Sequence, residues 1–372
     1  MQRVGILGGG QLGRMLLQAS GNYHVEVHVL ENDKECPAAQ LCRYFTKGDI
    51  RNFDAVYSFG KGLDAITIEM ENVNIDALEK LETEGVKVYP KPAVLRIIKN
   101  KIFQKQYFKE HGIPTSEFII TNNLQQLQEQ SNFLPAVHKL AEGGYDGRGV
   151  QLLFTEDDLQ KGFDASAVLE KKVSIKKEIA QMVAVGLNGK TALYPPVEMV
   201  FNKDLNLLDY QLCPAELTEN VLWKIEAIAS SVVRSFNSAG VFAVELFVDD
   251  KNDIFVNEIA PRVHNSGHHT IEAHYCSQFD MLWRIILGYS LGNTKAILPS
   301  LMINIIGNGN SGPLKYSGLN EILQIENAFI HLYGKQETKP GRKMGHVTFL
   351  CKDKQDLIHN AHKVKQLLSV ST

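Results

Sequence analysis

Two hydrophobic periods alternate along this chain: short apolar runs closed by glycine or polar turns, which predict strands, and stretches with an apolar residue every three or four positions, which predict helices. At the start, Val4–Leu7, a glycine turn, the amphipathic stretch Gln11–Ala19 and the run Val25–Leu30 give a strand, helix, strand opening of the doubly wound α/β type. Ile66–Ile68 and Val86–Tyr89 are expected to be further strands of that sheet. A helix is expected to begin at Pro92, since proline suits the first helical turn. It should stop at His111-Gly112, with Pro114 just beyond. These elements make a first domain of residues 1–112.

From Thr115 the pattern changes to short strands around a glycine-rich loop, Gly143–Gly149, giving a second unit over 113–195. A third, 196–296, carries a helix at Glu219–Ser235, a hairpin, and a helix near Phe279–Leu287. The last, 297–372, has strand-like runs at Met302–Ile306 and Val347–Leu350 and is expected to be small and β-rich. In the hairpin, Val241–Asp250 and Asp253–Ile259 flank Lys251-Asn252 as a two-residue turn, so Asp250 faces Asp253 and Glu245 faces Glu258. Carboxylates directly across a ladder repel, so a cation should compensate them. Mg²⁺ is the first candidate, because it is held by one or two carboxylates plus nucleotide oxygens.

Composition narrows the setting. With 372 residues, 44% of them hydrophobic and 22% charged, the chain predicts several globular domains, and its net charge of -3 gives no general pull toward nucleic acid or anionic membranes. The five cysteines are scattered, with no C-x-x-C pair, which argues against a disulfide scaffold or zinc knuckle and for reduced thiols in the cytoplasm. The N-terminus enters a strand-like run directly, and the apolar runs are too short to span a bilayer, so a cytoplasmic protein without a membrane partner is expected.

Four segments bear chemistry. Gly8-Gly9-Gly10-Gln11-Leu12-Gly13 has the spacing G-x-G-x-x-G between a strand and a helix, with Glu31 closing the next strand 18 residues after Gly13. The pattern fits an NAD cofactor, a phosphorylated ribose, or a tight turn alone. The second loop, Gly143–Gly149, follows a strand, Pro135–Leu140, that contains Lys139, and it lacks the G-K-[ST] of a P-loop. With Arg148 it can close over a triphosphate, or it is an ordinary hairpin tip. The extended run Glu170–Glu178 can offer backbone groups to an adenine edge and Glu178 to ribose hydroxyls, or be solvated surface. In Asn257–His269, His264 and His268 have a helical metal-site spacing, but Asn265-Ser266-Gly267 disfavours a helix. A loop with Arg262 and His264 suits a small oxyanion better.

In this order, and together with Lys339–His346, the segments resemble the ATP-grasp superfamily, and within it the N5-carboxyaminoimidazole ribonucleotide synthetases, over nearly the whole chain. The resemblance implies an N-terminal Rossmann-like domain of the biotin-carboxylase type, a central ATP-grasp domain and a C-terminal β-rich domain. It implies ATP contacts at Lys101, Lys139, Tyr145, Asp146, Gly147, Arg148, Gly149, Glu170, Lys172, Val173, Glu178 and Asn257. Glu245 and Glu258 match the Mg²⁺ ligands, with Mn²⁺ as a substitute. Gly10, Gln11, Leu12, Glu69, Tyr145, Asp146, Arg148, Lys335, Arg342 and Lys343 match positions around aminoimidazole ribonucleotide. Arg262, His264 and Asn265, with Arg148 and Tyr145, are the expected catalytic groups, the first three holding bicarbonate.

The implied reaction is ATP-dependent carboxylation through carboxyphosphate, by a homodimer. The base for the amine stays open among Glu69, Asp146, His264 and released phosphate. Asn100, Leu140 and Ala260 depart from residues common in the family and bear on the fine geometry of the metal site. The alternatives are a sister purine ligase such as formate-dependent glycinamide ribonucleotide transformylase, an NAD-dependent dehydrogenase, and a silent nucleotide sensor.

Overall fold

The computed structural model describes residues 1–144, 149–202, 207–308 and 310–371. The chain opens with a parallel five-stranded sheet in the spatial order Tyr44–Lys47, Val25–Glu31, Gln2–Leu7, Ala65–Ile68, Lys87–Tyr89. The order reverses at Gln2–Leu7, which makes the crevice beyond its carboxyl end a switch point of the kind that holds ligands in α/β sheets. The helix expected from Pro92 to His111 is two helices, Pro92–Lys99 and Lys101–Glu110. Asn100 lies between them in extended conformation, and its side-chain oxygen accepts the N–H groups of Ile102 and Phe103. Asparagine is among the best N-caps, and the apolar periodicity runs through it, which is why sequence alone predicts one helix. The break sets Lys101 on the first turn of the new helix, with its N–H on the Ala141 carbonyl at 2.8 Å.

A four-stranded antiparallel sheet follows, ordered Phe118–Thr121, Ala167–Lys171, Ala136–Leu140, Val150–Leu153. The largest sheet runs Ile254–Ala260, Gly240–Asp249, Ile175–Val185, Val197–Asn202, Leu207–Cys213, Ser300–Ile306, Lys343–Leu350, Ala328–Leu332, with Thr191–Leu193 paired to Ile175–Val185. It crosses the expected boundaries at 195/196 and 296/297: Ile175–Val185 on one side and the three C-terminal strands on the other share its ladder. No helix among the described residues is long and apolar enough to cross a membrane.

The carboxylate hairpin reaches the expected pairing by two departures that offset each other. Its loop is three residues long, closed by the Asp249 N–H on the Asp253 carbonyl at 3.0 Å, with Asn252 at φ 63°. The Asp249 side chain accepts the N–H groups of Lys251 and Asp253 at 2.9 and 2.8 Å. Val248 therefore pairs with Ile254 and Leu246 with Val256, one residue out of the expected register. A bulge at Asn257 inserts one residue, and Glu245 pairs with Glu258 after all.

Alternation along Gly240–Asp249 decides which face each side chain takes. Val244 and Leu246, with Ile179 and Val183 of the neighbouring strand, pack on Val221, Ile225, Ala229, Val232 and Val233 of the helix Glu219–Ser235. Each such side chain contributes roughly 1.5–3 kcal/mol when buried, so a slip that put Glu245 on this face would cost several kcal/mol. Glu245 is thus held on the opposite face. The first domain is fixed to the rest through the helix Gln278–Ile286, where Trp283 packs among Met15 and Leu16 and its Nε1–H donates to the Leu16 carbonyl at 2.8 Å.

Candidate active site

The glycine turn at the switch point is already filled. Glu69, just past the strand Ala65–Ile68, is buried and accepts the N–H of Gly10 at 2.7 Å and of Gly13 at 2.5 Å, while Glu31 accepts the N–H of Gly9 at 3.0 Å. A Cβ on Gly10 would come within 2.4 Å of the Glu69 carboxylate, so the glycines make room for that side chain. The Glu69 carboxylate thus faces the glycine turn, and the first-turn donors that a dinucleotide pyrophosphate would need are engaged internally, which weighs against a dehydrogenase. Burial pushes the Glu69 carboxyl up, against the two backbone donors that lower it. Leu12 also points into the core and Gly10 has given its N–H to Glu69, leaving Gln11 as the side chain of this loop with access to the crevice. Lys335 comes from the C-terminal segment to meet it, donating to the Gln11 side chain at 2.9 Å and to the Lys343 carbonyl at 2.5 Å. Arg342 donates to the Glu337 carbonyl at 2.7 Å.

Lysines and carboxylates converge in the cleft between the two antiparallel sheets. Lys101 is ion-paired and hydrogen-bonded to Glu258. Lys139, from the strand Ala136–Leu140, donates to the Asn257 side chain at 2.8 Å and pairs with Glu170 at 3.0 Å. The other Glu170 oxygen takes Lys105 at 2.9 Å and the Ser116 hydroxyl at 2.6 Å. Glu170 is therefore a buried counter-ion to Lys105 and Lys139. Lys139 and Lys105 hold its carboxyl down to about 2 against the opposing effect of burial, which is the largest single influence. Lys105 itself is held down to about 8, because burial and the charges of Lys139 and Lys101 outweigh its pairing with Glu170. Sequence reasoning missed Lys105; its place on the buried face of Lys101–Glu110 was the available signal. Lys172 is exposed, with its ammonium 6.0 Å from the Phe154 ring centre, and Val173 is half-buried.

The three carboxylates on this face differ in electrostatic state. Lys101 holds Glu258 well below the usual carboxylate range. Burial raises Glu245, and the charges of Glu258 and Glu178 raise it further. Burial also pushes Glu178 up to about 7, with Lys139 opposing. An all-oxygen set in which one carboxylate is held up by its neighbours fits a hard divalent cation, whose charge would let both members of the pair ionise.

Beyond the bulge, the strand Ile254–Ala260 leads into Arg262, His264 and Asn265. Arg262 Nε lies 2.9 Å from Glu71, His264 Nε2 lies 3.7 Å from Glu245, and His264 Nδ1 meets the Ser266 hydroxyl at 2.9 Å. The side-chain oxygen of Asn265 is buried without a hydrogen-bond partner among the described residues. Asn265–Gly267 is a single 3-10 turn, so His264 and His268 do not form a helical metal pair, in line with the helix-breaking residues between them. Glu71 is a further site residue that sequence reasoning passed over in favour of Glu69, two positions earlier on the same extended segment. Tyr145, Asp146, Gly147 and Arg148 lie outside the described residues; Gly149 is at φ 74° with its carbonyl accepting the Leu140 N–H at 2.9 Å.

Comparison with known proteins gives the same architecture. The ribonucleotide synthetase preATP-grasp domain matches residues 1–99, the ATP-grasp domain 106–279 and the phosphoribosylaminoimidazole carboxylase C-terminal domain 300–360. The chain is 36% identical to the chloroplastic phosphoribosylaminoimidazole carboxylase of Vigna aconitifolia over 93% of its own length, and it spans 64% of that longer protein. It is 36% identical to the N5-carboxyaminoimidazole ribonucleotide synthetase of Thermotoga maritima, with a TM-score of 0.92 and both chains covered completely. The N5-carboxyaminoimidazole synthase of Aspergillus clavatus, crystallised with ADP and 5-aminoimidazole ribonucleotide, is 32% identical with a TM-score of 0.89 over 98% of each chain.

Proposed function

The chain belongs to the N5-carboxyaminoimidazole ribonucleotide synthetase family of ATP-grasp ligases, and on that premise we propose that it carboxylates 5-aminoimidazole ribonucleotide with ATP and bicarbonate in purine synthesis. The observation that carries the reading is the direct pairing of Glu245 with Glu258 beneath Lys101, Lys139 and His264. In this reading Lys101 and Lys139 hold the ATP phosphates, Glu178 receives the ribose, and Glu245 and Glu258 hold Mg²⁺, or Mn²⁺ in its place. The cation supplies charge to offset the negative charge on the transferring phosphoryl group.

Arg262, His264 and Asn265 hold bicarbonate. One bicarbonate oxygen attacks the γ-phosphorus in line, the bond to the β-phosphate oxygen breaks, and ADP and carboxyphosphate result. Carboxyphosphate then releases CO₂ and phosphate. The exocyclic amine of the ribonucleotide forms a bond to the CO₂ carbon and yields a proton to His264, Asp146 or the phosphate. Glu69 stays a fourth candidate; its carboxylate accepts the N–H groups of Gly10 and Gly13 in this structure. Gln11, Lys335, Arg342 and Lys343, with Tyr145, Asp146 and Arg148, receive the ribonucleotide, and the loop Gly143–Gly149 closes to keep water from the intermediate. The same reading takes the enzyme as a cytoplasmic homodimer.

The test is a coupled ADP-release assay with each substrate omitted in turn. ADP release that requires both bicarbonate and the ribonucleotide is expected; turnover at the same rate without either would refute the substrate assignment. Turnover that depends on formate would point to the glycinamide ribonucleotide enzyme instead.

A further inference from the structure

A second group of metal-type ligands lies outside the site just described. Cys213 ends the strand Leu207–Cys213, while His269 and His274 bracket the single helical turn Thr270–Ala273. One ligand atom from each of the three lies within 4.8 Å of the others, and the residues are buried, with 3%, 1% and 4% of their surface exposed. Among the described residues no nitrogen of either ring has a well-formed hydrogen bond, His269 having only a looser approach to the Ser266 backbone, and the rings stand edge to face with centres 5.1 Å apart. Cys213 Sγ has only a long contact, 3.8 Å, to the Pro195 carbonyl. Leaving a buried polar group unpaired costs roughly 1–3 kcal/mol, so two imidazoles without well-formed hydrogen bonds, side by side with a thiol, call for a shared partner.

The donor set names the class of partner. No carboxylate belongs to the cluster, which disfavours Mg²⁺ or Ca²⁺, and one sulfur with two imidazoles is a donor set typical of zinc and other thiophilic ions. Bonds of about 2.0–2.3 Å draw tetrahedral ligands to roughly 3.5 Å apart, a closure within reach of small side-chain rotations. We infer that Cys213, His269 and His274 form a structural site for a thiophilic cation, zinc by preference, with a solvent-derived fourth ligand. Binding takes neutral imidazoles and releases the thiol proton to solvent.

The site has a mechanical role in the architecture. Gln211, two residues before Cys213, already donates to the Asn265 and Ser266 carbonyls at 3.4 and 3.1 Å. An ion on Cys213, His269 and His274 would fasten the same loop to the same strand a second time, fixing the segment that carries His264 and Asn265 without touching any substrate.

Metal analysis tests this independently of the ligase assay. Protein purified under reducing conditions from zinc-supplemented cells is expected to hold about one zinc per chain. Metal-free protein titrated with Co²⁺ should develop a thiolate-to-cobalt charge-transfer band that saturates at a single equivalent. Cys213→Ser should abolish that band and weaken zinc binding by more than the roughly 10- to 100-fold that loss of an outer contact costs. His274→Leu, checked for folding by circular dichroism, should do the same. Ions held by Glu245 and Glu258 would give no thiolate band. Wild-type protein that is zinc-free and gives no band with Co²⁺ would overturn the inference, as would a band that persists in both variants.

Discussion

Replacing Glu170 by glutamine removes one negative charge from between two buried ammonium groups and changes almost nothing in volume. The carboxylate lies 2.9 Å from Lys105 and 3.0 Å from Lys139, and the side chains of Glu170 and Lys105 are 4% and 2% exposed. At an effective dielectric constant of about 20, each pair at this distance is worth roughly 5–6 kcal/mol before desolvation is charged against it. Holding the carboxyl at about 2 instead of 4.5 corresponds to roughly 3 kcal/mol in net favour of the ionised form. Removing one partner of a buried pair costs about 3–5 kcal/mol, since the remaining charge is stranded. Lys105, already down to about 8 with its partner present, can relieve part of that by losing its proton. The expected loss is therefore about 3 kcal/mol near neutral pH, smaller above pH 8.

The assay is urea unfolding of wild type, Glu170→Gln, Lys105→Met and the double variant. The chain has several domains, so the transition to follow is the one that Lys105→Met also moves. The sign with pH is fixed: a depressed carboxylate stabilises fully above 4.5 and loses its contribution as pH falls toward 2, so the variant's deficit should shrink in acid. A Glu170→Gln protein within about 0.5 kcal/mol of wild type at pH 7, or single-variant losses that simply add in the double, would refute the reasoning.

Three further outcomes are expected. Glu258→Gln should lower bicarbonate-dependent ADP release by roughly ten- to a thousandfold, the range for removal of a charge-stabilising group, and retention of most of the rate would sink its assignment to the cation. Glu69→Gln keeps one acceptor but turns an NH₂ group toward the other glycine N–H, for a loss of about 1–3 kcal/mol in thermal or urea unfolding; an unchanged midpoint would contradict the bonding of the glycine turn. His138 is buried, accepts the Phe163 N–H at Nδ1 and so presents Nε2–H to the Thr121 hydroxyl, and burial holds it down to about 4 from 6.5. Between those pH values the unfolded chain binds the extra proton, so stability should fall by up to roughly 3 kcal/mol as pH drops through that window, and His138→Gln should flatten the curve. Parallel curves for the two proteins would exclude it.

The features legible in the sequence were those set by local pattern. Counting outward from the hairpin turn set Glu245 against Glu258, and glycine spacing located the turn after the first strand. What stayed hidden depended on partners distant in the chain. The G-x-G-x-x-G spacing is the same whether a pyrophosphate or Glu69 fills the turn, and nothing local distinguishes Glu69 from Glu71. Glu170 sits in a run of lysines that resembles solvated surface, yet its partners, Lys105 and Lys139, lie 65 and 31 positions before it. The hairpin shows how a right pairing can follow from a wrong turn: the longer loop and the bulge at Asn257 each shift the register by one, in opposite senses. The bulge is also what turns the Asn257 side chain toward Lys139. Cys213, His269 and His274 lie too far apart in sequence for any spacing rule to join them.

The backbone ladder between Leu207–Cys213 and Ser300–Ile306 has a practical consequence. Cutting the chain near residue 296 would not detach a module; it would strip a mid-sheet strand of its neighbour and leave a bare row of amide and carbonyl groups, the usual template for aggregation. Fragments prepared for crystallography or for complementation should therefore retain the segment through Leu350, and co-expressed halves have a built-in means of reassembly by β-strand addition.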